Sequence, residues 1–284
     1  PLPSHAAQGG ACGTTVPGGA VGPGTTWKLA GSPYCVTGHL TVAGLTIEPG
    51  VRVSVDPGAR STVTGVLVAA GTPAAPIAFT SSLAAPPSNR HWLGLVFAAG
   101  APPGSVLEHC IVERASATGL VLQAPSHPPA IRNCTFRDNF AIPPSIGGGV
   151  AIVGTTARTV LADCRITGNL NAYFAGGVFI ETAGGGSVEL VRCTIEDNVA
   201  GVGIGAPAFL GGGALIDGTA RLVACRIARN EVRGAGSFQI SAIVAGGGLW
   251  VDGDVELENC AIVLNRCVGL TTLPYQRCFG GGLY

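Results

Sequence analysis

From residue 131 onward, apolar and polar positions alternate in short bursts that return with the same spelling. One burst follows a glycine cluster: Gly147-Gly-Gly-Val-Ala-Ile152, Gly176-Gly-Val-Phe-Ile180, Gly211-Gly-Gly-Ala-Leu-Ile216, Gly246-Gly-Gly-Leu-Trp-Val251 and Gly280-Gly-Gly-Leu-Tyr284. The other reads Leu-x-x-Cys-x-Ile-x-x-Asn, running from Leu161 to Asn169, Leu190 to Asn198, Leu222 to Asn230 and Leu257 to Asn265, with Ile131 to Asn139 as a variant carrying Phe136. Cys110 with Leu107 is a weaker first copy without the asparagine. Successive cysteines from 134 to 260 stand 29 to 35 residues apart. Such a period marks a solenoid whose units bury their apolar faces only by stacking on neighbours.

Upstream, Leu40-Thr-Val, Leu45-Thr-Ile-Glu-Pro-Gly, Val51-Arg-Val-Ser-Val-Asp-Pro-Gly and Ser61-Thr-Val-Thr-Gly-Val-Leu-Val alternate between Pro-Gly and Gly turns, which is the strand signature. No stretch offers a capped helical period, so the fold is expected to be all-β. An antiparallel sandwich gives no reason for one residue type to return once per repeat. A parallel β-helix does, because equivalent positions of successive coils lie about 4.8 Å apart. The expected organisation is an irregular leader or cap over 1–38 and one β-helix over 39–284, regular from about 131.

Stacking turns the repeat into columns. Cys110, Cys134, Cys164, Cys193, Cys225 and Cys260 precede Ile111, Phe136, Ile166, Ile195, Ile227 and Ile262, and period two places the thiols inward as small apolar core groups. Their spacing lacks the short Cys-x2-Cys step of a metal site. Asn139, Asn169, Asn198, Asn230 and Asn265 are placed to form a side-chain ladder. Glu189, Arg221 and Glu256 alternate in sign, as do Asp197 and Arg229, which suits rung-matching surface ion pairs worth about 0 to 1 kcal/mol each.

The Gly-Gly and Phe/Ile-x-x-Asn motifs of residues 131 to 284 resemble the repeats of chlamydial polymorphic outer membrane proteins and of secreted bacterial right-handed parallel β-helix proteins. Residues 40 to 115, with Trp92-Leu-Gly-Leu-Val-Phe, are similar to the opening coils of such proteins. The resemblance implies a right-handed, pectin-lyase-like superhelix, bacterial, exported or held at the cell surface, with adhesive or structural roles commonest and polysaccharide lyases as relatives in fold. No lyase motif maps onto this chain residue by residue, and fold alone does not give function.

Composition narrows the classes. Charged residues make up 11%, the net charge is zero and Lys28 is the one lysine, so there is no basic footprint for nucleic acid. No apolar run reaches the 18 or so residues of a membrane span. The chain starts without methionine, as if already processed, and secretion is expected. Cys12, Cys35, Cys267 and Cys278 lie outside the core column and are the disulfide candidates, which fits an oxidising compartment.

One outward strip resists a purely structural reading. With Ile152, Ile180, Ile216 and Val251 inward, Phe179, Leu215, Trp250 and Tyr284 face outward, and Glu181, Asp217 and Asp252 stack two residues later with no basic residue between them. Aromatic plates beside carboxylates suit a glycan, and clustered oxygens suit Ca2+. Adjacent rungs would also bring Asp217 and Asp252 near the ~5 Å of a retaining glycosidase pair. Alternatively, the loops between asparagine and glycine, which lengthen from 8 and 6 residues to 13, 16 and 15, fold over the strip through Ile204, Phe209, Phe238, Ile240 and Ile243. A subunit contact is the third reading. All five histidines precede the repeats and no Gly-x-Ser-x-Gly elbow occurs, so no nucleophilic triad is expected and no catalytic residue is assigned. Gly280 to Tyr284 begins a coil and stops. Continuation in a longer protein and end-to-end self-association through the open ends are both expected from such an edge.

Overall fold

The computed structural model describes residues 11–84, 90–201, 208–233, 243–268 and 277–284. Among the described residues all sheet pairing is parallel, and the one short helical element is a 3-10 turn at Leu29–Gly31. Each regular coil has three faces. The first follows the glycines (Val150–Thr155, Val178–Thr182, Ala214–Asp217, Leu249–Asp252), the second precedes the cysteine (Arg158–Ala162, Ser187–Val191, Ala220–Val223, Val255–Glu258), and the third follows it (Arg165–Thr167, Thr194–Glu196, Arg226–Ala228, Ala261–Val263).

Register is kept from coil to coil. Ile152 pairs with Ile180, Ile180 with Ile216 and Ile216 with Val251; Leu161, Leu190, Leu222 and Leu257 align, as do Ile166, Ile195, Ile227 and Ile262. Down to Ile216, Leu222 and Ile227 these columns form one continuous axial core, against which Val251 and Ile262 pack partly buried, while Leu257 is exposed. A one-residue slip would turn every such side chain outward, so burial itself pins the register.

The first and second faces are one surface in the early coils and two later. Ser61–Ala70 is a single ten-residue strand whose first half pairs with Leu95–Phe97 on the first face, while its second half pairs with Val106–Glu108 on the second. Within the segment expected as an irregular leader or cap, short strands alternate with turns. Thr14–Val16 pairs with Tyr34–Val36, Gly19–Val21 with Leu40–Val42, and Thr25–Trp27 with Leu45–Ile47. Cys12 and Cys35 form a disulfide, and Trp27 stacks on Tyr34 with ring centroids 4.6 Å apart.

Single left-handed residues turn the corners. The residue before each cysteine of the column, from His109 to Asn259, has φ between 45° and 55°, and the residue before each asparagine has φ between 54° and 66°. One residue in that region redirects the chain without a longer loop, which keeps the coils tight. Residue type gives little warning, because the first corner is taken by His109, Asn133, Asp163, Arg192, Ala224 and Asn259.

Candidate functional site

The repeated polar residues are held by one another. Asn139 Nδ2 donates to Asn169 Oδ1 at 2.9 Å, and the pattern continues to Asn198, Asn230 and Asn265 at 2.9, 2.9 and 3.0 Å. The second amide hydrogen of Asn169 goes to Phe136 O and that of Asn198 to Ile166 O, each at 3.0 Å, while each backbone N–H reaches the next Oδ1. Asn139, Asn169, Asn198 and Asn230 are fully buried, and in the last three every side-chain hydrogen-bonding position is in use. The glycine half of the repeat has the same cause. A Cβ on Gly213 would lie 2.5 Å from Gly248 O and 2.8 Å from Asn230 Nδ2, so the glycines are small because the ladder packs against them.

The cysteine column is a core feature. Cys134, Cys164, Cys193 and Cys225 are buried thiols, and Cys193 donates to Leu161 O of the preceding coil at 3.4 Å. Hydrogen bonding to Cys164, then burial, pushes the Cys193 thiol up to about 12, and Cys134, Cys164 and Cys225 move the same way. Such thiols are poor nucleophiles and poor metal ligands near neutral pH. Of the disulfide candidates outside this column, the Cys12–Cys35 bond is formed, and the Cys278 side chain lies outside the described residues, so its pairing with Cys267 does too.

The outward strip is graded along the axis. Phe179, Leu215 and Trp250 are in register, and Tyr284 follows across the Leu249–Leu283 bridge. Leu215 is buried, Phe179 and Trp250 are half-buried, and Tyr284 is 51% exposed. Glu181, Asp217 and Asp252 are also paired rung to rung, with Asp217 and Asp252 exposed and Glu181 partly so. None of the three makes a side-chain hydrogen bond or ion pair among the described residues. Nor does any group of three or more His, Cys, Asp or Glu among the described residues gather to hold a metal ion. The loops expected to cover the strip are described only at their ends. Ala208–Leu210, Ile243–Ala245 and Arg277–Phe279 form a small parallel sheet, while Ile204, Phe238 and Ile240 and the side chains of Phe209 and Ile243 lie outside the described residues.

A larger concavity lies on the second face. It encloses about 690 Å³ and is lined by Arg158, Glu189, Thr219, Arg221, Asp254 and Glu256. Most of its charges are paired: Arg158 pairs with Glu189, and Arg221 reaches Glu256 at 3.0 Å and Glu189 at 3.4 Å as well as Glu258, while Asp254 makes no ion pair among the described residues. The Glu189, Arg221, Glu256 column thus forms the rung-to-rung ion ladder its alternating signs predict. Glu256, ahead of the other acids, holds the Arg221 guanidinium above its ordinary pKa.

The third face carries carboxylates that spacing alone did not single out. Glu113 and Glu196 are 7% and 6% exposed; Glu113 accepts from Arg137 Nε at 2.8 Å, and Glu196 pairs with Arg165 at 2.5 Å and Arg229 at 2.6 Å. Arg229 also reaches Asp197 at 2.8 Å, so the second predicted sign alternation forms as well. The available signal was an Arg one coil from a Glu, in the same column for Arg137 and Glu113 and in flanking positions for Arg165 and Arg229 against Glu196, legible only once register is known.

Stacked parallel coils, inward Leu and Ile columns and an asparagine ladder define a parallel β-helix. The family model for a right handed beta helix region matches residues 104–273, and the chain belongs to that family. No curated protein and no solved structure matches the chain in the same comparisons.

Proposed function

We propose that this chain is a secreted or cell-surface β-helix scaffold with a structural or adhesive role and no catalysis, of the bacterial kind its repeats resemble. The observation that carries this reading is where its repeated polar chemistry goes. The ladder asparagines bond only along their ladder and the coils, and the repeated charges Glu189, Arg221 and Glu256 on the second face and Arg165, Glu196 and Arg229 on the third close on each other in rung-to-rung pairs. Residues held this way stiffen a rod and are not presented to a substrate. The Cys12–Cys35 disulfide supports export, since such bonds persist in oxidising compartments.

Self-association belongs to this proposal. Among the described residues, six of the eight exposed large apolar side chains, Leu257, Val263, Leu264, Val268, Leu283 and Tyr284, cluster on the last coil. A head-to-tail contact that does not close gives a filament. Sedimentation and negative-stain electron microscopy of the purified chain test it: end-to-end particles whose length grows with concentration are expected, and a monodisperse monomer at all concentrations would overturn self-association.

Glycan binding is the second reading, favoured by the unpaired carboxylates Glu181, Asp217 and Asp252 beside Trp250 and Tyr284. A glycan array should then give signals that fall at least about tenfold with Trp250→Ala. An array without signal, or one indifferent to that change, removes this reading and leaves the scaffold intact.

A further inference from the structure

On the third-face strands Arg137 and Arg165 meet a carboxylate, Arg226 stands exposed, and Arg52 is the partly buried arginine that meets none. Its strand, Arg52–Val55, pairs with Ile77–Ser81, which pairs with Cys110–Glu113, so Arg52, Ala78 and Ile111 form one outward column, with Thr80, Glu113 and Arg137 in the next. The Glu113 carboxylate is already engaged: Oε1 accepts from Thr80 Oγ1 at 2.9 Å and Oε2 from Arg137 Nε at 2.8 Å. Arg52 makes no side-chain hydrogen bond or ion pair among the described residues. It lines a recess of about 110 Å³ walled by Gly50, Pro76, Ala78 and Ile111, with Glu113 and Arg137 at its side.

A desolvated guanidinium without an acceptor is costly, and its planar fork matches the two oxygens of a carboxylate, sulfate or phosphate. The local charge agrees. Arg52, Arg114 and Arg137 stand against Glu113 and Asp138, an excess of one positive charge, and Arg114 is close enough to act on Arg52 electrostatically. Burial holds the Arg52 guanidinium below its ordinary pKa, with Glu113 opposing that shift and Arg114 adding to it.

We propose that the Arg52 recess is a binding site for one small oxyanionic group, a carboxylate or sulfate, carried by an acidic ligand or free in solution. The site lies on the third face and does not depend on the glycan reading of the first. The aliphatic walls of Pro76, Ala78 and Ile111 exclude water from one side of the group, and Arg52 supplies the paired donors.

The test is an NMR titration of the whole chain with sodium sulfate, sodium acetate and a galacturonate trimer, each against sodium chloride at equal ionic strength. Saturable shifts of the Gly50, Ala78 and Ile111 amides are expected with the oxyanions. Affinity should fall at least about tenfold in Arg52→Gln and stay unchanged in Arg226→Gln, which removes an exposed arginine of the same column that also lacks a partner. A trimer binding at least about tenfold tighter than acetate shows the group is borne on a saccharide, and equal affinities show a free small anion as the ligand; both uphold the site. Equal shifts with chloride, or an undiminished response in Arg52→Gln, overturn it. Should Arg52→Gln fail to fold, Arg52→Lys decides: it keeps the charge without the fork, and unaltered affinity there counts against the site.

Discussion

The first and last described coils are built differently. At the first coil a disulfide joins Cys12 to Cys35, Trp27 stacks on Tyr34, and the Tyr34 hydroxyl accepts from the Lys28 amide at 2.8 Å. At the last coil Cys260 and Ile262, members of columns fully buried elsewhere, are only partly covered, and Leu264 is 73% exposed. The middle needs neither device, because every coil there has a neighbour on both sides. In such an array stability is close to a sum over neighbouring coils, so the same residue type is worth different amounts at different heights.

The largest expected effect separates the covered interior from both ends. The thiols of Cys134, Cys164, Cys193 and Cys225 have folded-state pKa values raised above the unfolded value. Their contribution is fully present below about pH 8.5 and is lost as pH climbs from there through the folded values, by about 1.4 kcal/mol per thiol for each unit. Urea midpoints measured between pH 7 and 10 should fall steeply, and less so after Cys164→Ala with Cys193→Ala. A flat profile would contradict the buried-thiol column.

Asparagine replacement compares interior with end directly. Asn198→Ala leaves the Asn169 backbone and side-chain N–H groups and the Ile166 carbonyl without partners in a buried setting. A loss of about 4 kcal/mol is expected. Asn265→Ala orphans the same kinds of group beside solvent, where water replaces them, and should cost about 1 kcal/mol. Equal losses in urea titrations would show that the end is covered as well as the middle.

The seal at the first coil is expected to be local. Cys12→Ser with Cys35→Ser opens a bridge across 23 residues and should cost about 3 kcal/mol. Hydrogen exchange should quicken in residues 14–36 and leave 150–230 unchanged; uniform quickening would mean the array unfolds as one unit. The smallest effect concerns a corner. Leu264 holds φ 58° while largely exposed, and Leu264→Asn should gain about 0.5 kcal/mol by calorimetry, since asparagine tolerates that conformation better.

These contrasts also explain what the sequence could reveal. The cysteine, asparagine and glycine columns were legible because a stacked fold repeats its constraints, and the Glu189, Arg221, Glu256 alternation followed from the same spacing. The mutual dependence of glycine and asparagine was not legible, since it rests on a Cβ clearance between coils. Arg52 was missed because its column neighbours, Ala78 and Ile111, lie at uneven spacings in the least regular coils. The Glu181, Asp217, Asp252 strip was legible as a column, but whether its loops shelter it depends on residues outside those described.

The asparagine ladder has a direction. From Asn139 to Asn230 each side-chain amide gives one hydrogen to the asparagine oxygen of the later coil and the other to a carbonyl of the coil before, so the ladder is acceptor-led at one end and donor-led at the other. At its start Asn139 Oδ1 receives the Ala115 N–H, whereas at Asn265 one amide hydrogen meets no acceptor among the described residues. The rod therefore carries a built-in arrow, and whatever continues the column beyond Asn265 must arrive with an oxygen foremost.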